Sequence, residues 1–203
     1  KFDNIATSFP LITSKKVFFR GIVEELLFFI RGDTDSNKLS SKGVKIWEPN
    51  TSREFLDSLG LDYPVGEMGP MYGYQWRHFN KPYPSSEEQG IDQLKKVIEE
   101  IKKDPTSRRI IMTDFNPLQV HQGVLYPCHS IIIQFYIQDG FIDMFCFNRS
   151  NDIGLGLPFN IASSSLLLMV VGKLTNFIPR YLNISIGDAH IYTEHIDALK
   201  EQI

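Results

Sequence analysis

A mixed α+β fold, with one large, mostly antiparallel sheet covered by helices, is what the sequence predicts. Three observations carry that expectation. Apolar residues recur at helical spacing in two separate segments, Phe18 to Ile30 and Ile91 to Ile101. Two β-branched and apolar runs, SIIIQFYIQ (130–138) and FIDMFCFN (141–148), flank Asp139-Gly140. Residues 158–172 (PFNIASSSLLLMVVG) are apolar nearly all round, as a buried central helix would be.

In chain order, a short extended lead ends at Pro10. Residues 15–30 (KKVFFRGIVEELLFFI) then place Phe18, Ile22, Val23, Leu26 and Ile30 on one helical face and stop at Gly32. From Asp33 to Ser85 the chain reads as loop, rich in Gly and Pro and carrying Trp47, Tyr72 and Trp76; it is too long for an idle connection. Ile91, Leu94, Val97, Ile98 and Ile101 set an amphipathic helix ended by Asp104-Pro105. RRIIMTDF, from Arg108, reads as a strand. Asp139-Gly140 then predicts a two-residue hairpin turn, because both positions need positive φ. Pro158 is expected at the first position of the central helix. A strand over 182–186 and a last helix from about Thr193 complete the layout.

Composition narrows the function. The chain has 203 residues, 42% of them apolar and 22% charged, which is the make-up of a packed domain. A net charge of −3 gives no global attraction to nucleic acid or anionic lipid, so an anionic ligand needs a local cluster of cations. Two cysteines, Cys128 and Cys146, exclude a disulfide framework and a four-thiolate zinc site, and suit a reducing, cytoplasmic compartment. The longest apolar stretch, Leu166 to Val171, falls short of the roughly 18 residues of a membrane helix, so no membrane is expected. Lys1-Phe2-Asp3-Asn4 lacks the basic-then-apolar pattern of a secretory signal and has no initiator methionine, so the chain reads as cut from something longer. Two Asn-x-Ser sequences, at Asn148 and Asn183, are put down to chance.

Three constellations carry chemistry. In Tyr126-Pro127-Cys128-His129, the hairpin can return Arg149-Ser150 to Cys128, and a guanidinium beside a thiol favours the thiolate. Cys146, alternating within an apolar strand, reads as core. Ser107-Arg108-Arg109 together with Arg149-Ser150 offer a fork for a phosphate dianion. In the run from Asp152 to Asn160, the G-x-G lacks the spacing of a dinucleotide fingerprint, but Asn160 is a costly amide inside an apolar helix. Its donor and acceptor complement O4 and N3–H of uracil, and cytosine reverses that pattern.

The stretches GVKIWEPN, GPMYGYQWRHF, SRRIIM, PCH followed by QFY, RSNDIGLGLPFNIAS and GDAHIY, in this order, together resemble the thymidylate synthase family from about Phe9 to the end of the chain. The resemblance implies a single domain over 1–203, dimerised through a sheet face. It implies methylation of deoxyuridine monophosphate (dUMP) at C5, with 5,10-methylenetetrahydrofolate as cosubstrate supplying the one-carbon unit and a hydride, to give dTMP and dihydrofolate without a metal. By the same resemblance Cys128 is the nucleophile, and Glu25, Asn50, Tyr72, His129 and Asp152 are the polar groups that move protons and organise water. Arg149 and Ser150 hold the 5′-phosphate, joined by Arg108 and Arg109 from the second subunit of a homodimer. Asn160 fixes the uracil edge, and His190 and Tyr192 bond the ribose 3′-hydroxyl. Ile46, Trp47, Leu155, Gly156 and Phe159 line the folate site, with Asp152 bonding the pterin.

Four positions depart from the family pattern: Asn148 stands for Gln, Tyr126 for Pro, Phe115 for Trp and Ser164 for Tyr. The shorter Asn148 is expected to loosen a hydrogen bond to the nucleophile loop. The family's arginine-bearing phosphate loop and its C-terminal closing segment would lie before Lys1 and after Ile203, so the 203-residue piece by itself is expected to bind weakly and turn over poorly. Fusion to a dihydrofolate reductase domain, as in some members, fits such a piece. Two other readings exist: a deoxycytidylate hydroxymethylase, which would favour a carboxylate at Asn160, and a silent nucleotide- or RNA-binding homologue, for which helix 91–103 shows no basic stripe.

Overall fold

A computed structural model describes residues 1–84 and 89–202. Its elements are α1 (Phe19–Arg31), α2 (Asn37–Ser40), α3 (Arg53–Ser58), α4 (Gly73–His78), α5 (Gln93–Lys103), β1 (Ile111–Thr113), β2 (Ile132–Gln138), β3 (Phe141–Asp152), α6 (Gly156–Thr175), β4 (Ile178–His190) and α7 (Ile196–Glu201). The chain divides into two compact units, one of residues 1–23, 97–111 and 128–203, the other of 24–96 and 112–127.

The first unit is built on β2, β3 and β4, adjacent in that order, with Ile111 at the start of β1 on the β2 side. The hairpin forms as the Asp-Gly signal requires: Asp139 and Gly140 both take positive φ, 53° and 81°, and β2 pairs antiparallel with β3 from Gln138↔Phe141 to Ile132↔Phe147. The sheet is mixed where a mostly antiparallel one was expected, because β3 and β4 are parallel. The physical reason is α6, a 20-residue crossover helix that carries the chain back to the starting end of β3. Pro158 sits at the third residue of α6, two places later than expected, still within the first turn where a missing N–H costs no intrahelical bond. Asn176, in the left-handed conformation, ends the helix.

Alternation sorts the sheet into two faces. Ile133, Phe135, Ile142, Met144, Cys146 and Leu182 are buried, and α6, whose Ile161, Leu168 and Val171 are buried too, packs on β3 and β4. Each such side chain contributes roughly 2 kcal/mol of burial. On the other face Ile132, Tyr136, Phe145 and Ile178 remain exposed. Asp143, at an irregularity of the β3–β4 ladder, accepts two hydrogen bonds from Arg180, at 3.0 and 2.7 Å, and one from Tyr181 N at 3.0 Å. The extended lead pairs with β4 through a reciprocal Phe2–Leu182 backbone contact, which covers that edge.

In the second unit the stretch expected to be loop folds into three short helices, α2, α3 and α4, with a 3₁₀ turn at Pro49–Thr51. Its end at Ser85 lies outside the described residues. The core of this unit gathers Leu26, Phe28, Phe29, Leu39, Leu56, Met68, Tyr72 and Trp76. A buried amide network of Gln75, Asn116 and Gln119 ties α4 to residues 116–119, with Gln119 Oε1 accepting from both Gln75 (3.0 Å) and Asn116 (2.9 Å).

Candidate active site

In the first unit the polar groups gather where β3 and β4 end. Pairing between β2 and β3 continues past Ile131, whose N–H reaches Phe147 O, to Ser150 N–H, which donates to the Cys128 carbonyl at 3.3 Å. The half-buried Cys128 thus sits beside the Arg149-Ser150 end of β3, as the hairpin argument required. Gly187 of β4 permits the close approach there, since a Cβ would lie 2.8 Å from the Arg149 carbonyl oxygen. Ser130 adopts φ 54°, a strained conformation for a non-glycine residue, and its N–H donates to Asn148 Oδ1 at 2.7 Å. Burial pushes His129 down to a pKa of about 4, so its imidazole is neutral at pH 7. Cys146, by contrast, is pushed up to about 12 by burial and stays a thiol in the core.

Around these residues Ser150 Oγ donates to Asp188 Oδ2 at 3.2 Å, and His190 Nδ1 lies 3.3 Å from the same oxygen. The His190 ring stands edge-on to Tyr192 at 5.3 Å. Asp152 holds the start of α6: its carboxylate accepts from the N–H groups of Gly154 (3.0 Å), Leu155 (3.0 Å) and Gly156 (3.3 Å), and Lys15 Nζ bonds Gly154 O. His195 Nδ1 is 3.9 Å from Asp152. Asn160 Oδ1 accepts from Asn151 Nδ2 at 2.9 Å. Leu155 is exposed and Phe159 half-buried. Arg108 and Arg109 stand apart, exposed, in a hollow of about 230 Å³ lined with Asp104, Thr106 and Ser107.

The second unit holds the remaining expected residues. Glu25 Oε1 accepts from Trp47 Nε1 at 2.8 Å, and burial raises the carboxyl to about 7 against the lowering effect of that bond. The Trp47 and Tyr72 rings lie 6.0 Å apart, and Phe29 stacks on Tyr72 at 5.1 Å. Tyr72 is fully buried with φ 44°, ψ −109°, a second strained residue at a named position. Asn50, half-buried, sits in the 3₁₀ turn with its N–H on Trp47 O at 3.1 Å, and Ile46 is exposed.

Comparison with known proteins decides what these groups belong to. The family model described as Thymidylate synthase matches residues 1–203. A thymidylate synthase of Ascaris suum is 50% identical over 199 residues, which are 96% of this chain and 67% of the relative. One of Homo sapiens is 47% identical over 205 residues, 98% of this chain and 65% of the relative. A bifunctional dihydrofolate reductase-thymidylate synthase of Paramecium tetraurelia is 48% identical over 206 residues, 98% of this chain and 44% of the relative.

The chain belongs to the thymidylate synthase family. The family's methyltransferase chemistry, with methylenetetrahydrofolate as cosubstrate, is therefore the frame for its residues. Against the thymidylate synthase pattern, Asn148 makes its bond to the nucleophile loop at 2.7 Å, so the expected loosening is not found. Tyr126, in place of Pro, is exposed and bonds His121 Nδ1 at 2.7 Å. Phe115, in place of Trp, is half-buried, and Ser164, in place of Tyr, is buried against Cys146. Sequence reasoning missed Asn151, Asp188 and His195. A costly amide at Asn160 implied a partner, which was the one signal for Asn151.

Proposed function

We propose that this chain performs the reductive methylation of dUMP at C5, with the work divided as follows. Cys128 is the nucleophile: its sulfur forms a bond to C6, electron density moves to C5, and C5 becomes able to attack carbon. Once C5 has formed its new bond to carbon, a base takes the C5 proton, and the electron pair returned to C5–C6 expels the sulfur as thiolate. Arg149, with Ser150, holds the 5′-phosphate. Asn160 reads the uracil edge, and His190 and Tyr192 hold the 3′-hydroxyl. Glu25, with a pKa near pH 7, can take and return a proton in neutral solution. Asn50, Tyr72 and the neutral His129 position water by hydrogen bonding.

The folate, when bound, supplies the one-carbon unit and the hydride. The residues proposed to hold it fit such a group: Ile46 and Leu155 expose apolar surface, 41% and 56% accessible, and Phe159 and Trp47 add aromatic faces. Asp152 has about four lone-pair sites and three backbone N–H partners, which leaves one acceptor for a pterin N–H.

Residues 1–203 are read as one thymidylate synthase-like domain acting as a homodimer. The occupant proposed for the open sheet face is a second copy of the chain, because Ile132, Tyr136 and Phe145, neighbours across β2 and β3, and Ile178 on β4 expose apolar side chains there. Arg108 and Arg109, apart from the Cys128 group, are read as donated to the partner's phosphate. Fusion to a dihydrofolate reductase domain, named in the Paramecium tetraurelia relative, is compatible with this arrangement. The cytoplasm is the proposed compartment.

The observation that carries the reading is the Ser150 N–H to Cys128 O bond. It supports a thiol set beside the anion-binding end of the strand whose next residue, Asn151, bonds Asn160. The test is tritium release from C5-labelled nucleotide by the full-length protein with the folate. Release from dUMP with formation of dTMP is expected. Reaction of dCMP instead, or of neither nucleotide, would overturn the reading.

A further inference from the structure

Asn160 is the last of three amides joined head to tail. Ser130 N–H donates to Asn148 Oδ1 at 2.7 Å, Asn148 Nδ2 donates to Asn151 Oδ1 at 2.7 Å, and Asn151 Nδ2 donates to Asn160 Oδ1 at 2.9 Å. A backbone N–H can only donate, so the direction of the whole series is fixed at its first link. Asn148 must turn its oxygen to Ser130 and its NH₂ to Asn151. Asn151 must then turn its oxygen to Asn148 and its NH₂ to Asn160. Asn148 and Asn151 are 1% and 4% exposed, so water does not replace a lost partner. The last link is part-buried and runs alongside Gly156, where an added Cβ would lie 3.4 Å from Asn151 Nδ2 and 3.9 Å from Asn160 Oδ1.

We propose that Asn151 is a specificity-determining positioning residue, which holds Asn160 in the orientation that accepts uracil and rejects cytosine. This rests on the reading of Asn160 as the group that faces the pyrimidine edge. With Oδ1 held toward Asn151, its second lone pair accepts N3–H of uracil while Nδ2 donates to O4. Cytosine presents an unprotonated N3 and an N4 amino group, so it needs the carboxamide turned over. Turning it sets Nδ2 of Asn160 against Nδ2 of the buried Asn151, two donors facing each other. Reversing Asn151 and Asn148 in turn relieves nothing, because the series would then end with an NH₂ against the Ser130 N–H. The nucleophile loop and the base-reading amide are thereby coupled through two side chains that need not touch the substrate.

The experiment measures dissociation constants of dUMP, dCMP and 2-deoxyribose 5-phosphate for the full-length protein and three variants. Asn151→Leu keeps the shape and removes both bonds. Asn151→Asp accepts from Asn148 and cannot donate, so it draws Nδ2 of Asn160 toward itself and turns the amide over. The sugar phosphate, which lacks a base, reports that each variant is folded and still binds phosphate. Wild-type protein is expected to prefer dUMP. Asn151→Leu should cut that preference about tenfold, and Asn151→Asp should cut it further by tightening dCMP itself. Asn160→Ala separates the two readings. If it abolishes the preference while both Asn151 variants keep the wild-type ratio and bind the sugar phosphate, the coupling through Asn151 is wrong and the role of Asn160 stands. If Asn160→Ala leaves the preference intact, the role of Asn160 is wrong and the proposal falls with it.

Discussion

Glu25 and Trp47 form a carboxylate–indole pair, with Trp47 Nε1 donating to Glu25 Oε1 at 2.8 Å. Burial raises the Glu25 carboxyl to about 7, and the indole bond partly opposes that rise. The rate of the full-length protein against pH should therefore show a group near 7. Trp47→Phe, which removes the opposing bond, should move that group upward. Glu25→Gln should abolish it and lower kcat by roughly 10²- to 10⁴-fold.

The same carboxyl makes a stability prediction. Its folded pKa lies above its ordinary value, so its contribution is complete below about 4.5, the reference for a free Glu, and is lost as pH rises through about 7. Glu25→Gln should accordingly gain stability over wild type at pH 8 relative to pH 5. Urea denaturation at the two pH values reads the difference directly.

Asp114 is 1% exposed, and neither of its carboxylate oxygens has a hydrogen-bond partner among the described residues. Burial pushes its carboxyl well above the usual range, so its ionisation weakens the fold as pH rises. Asp114→Asn, nearly isosteric and unable to ionise, should raise the unfolding midpoint at pH 8 more than at pH 5. An equal shift at both would contradict this account of Asp114.

Asp143 holds Arg180 by two bonds at the irregular point of the β3–β4 ladder. Removing only the acid leaves a part-buried guanidinium unpaired. Asp143→Ala should cost about 3 kcal/mol in denaturant unfolding, and Asp143→Ala with Arg180→Leu should cost less than the single change.

The exposed sheet face gives a solution test. If the proposed homodimer forms through this face, Tyr136→Glu combined with Phe145→Lys should yield a monomer in sedimentation velocity and weaken phosphate binding, because Arg108 and Arg109 would no longer reach a partner's site. A dimer of unchanged stability would remove the sheet face from the account.

What the sequence made legible follows from where its signals are local. α1, α5 and the β2–β3 hairpin each rest on a period or a turn within a dozen residues, and each formed close to its expected place. α2, α3 and α4 are four to six residues long, too short to show a helical period, so 33–85 read as loop. The direction of β4 relative to β3 is set by a 20-residue crossover, and alternation within a strand carries no information on pairing direction. In the site, the approach of Ser150 to Cys128 was legible because a hairpin returns its ends by geometry. Asn151 was not, since an amide in a polar stretch looks the same whether it meets water or another amide. Asp152 shows the reverse: expected for folate, it is also the N-terminal support of α6.

The proposed chemistry turns on the sulfur of Cys128 adding to C6 of the pyrimidine. The most direct measurement is the intact and peptide mass of the full-length protein after incubation with 5-fluoro-dUMP and the folate. Fluorine at C5 leaves no proton to remove, so the C6–S bond cannot break in the usual way and the adduct persists. One nucleotide per chain is expected on the peptide that contains Cys128, and none in Cys128→Ala. Attachment at Cys146, or no attachment by a protein that still makes dTMP, would contradict it.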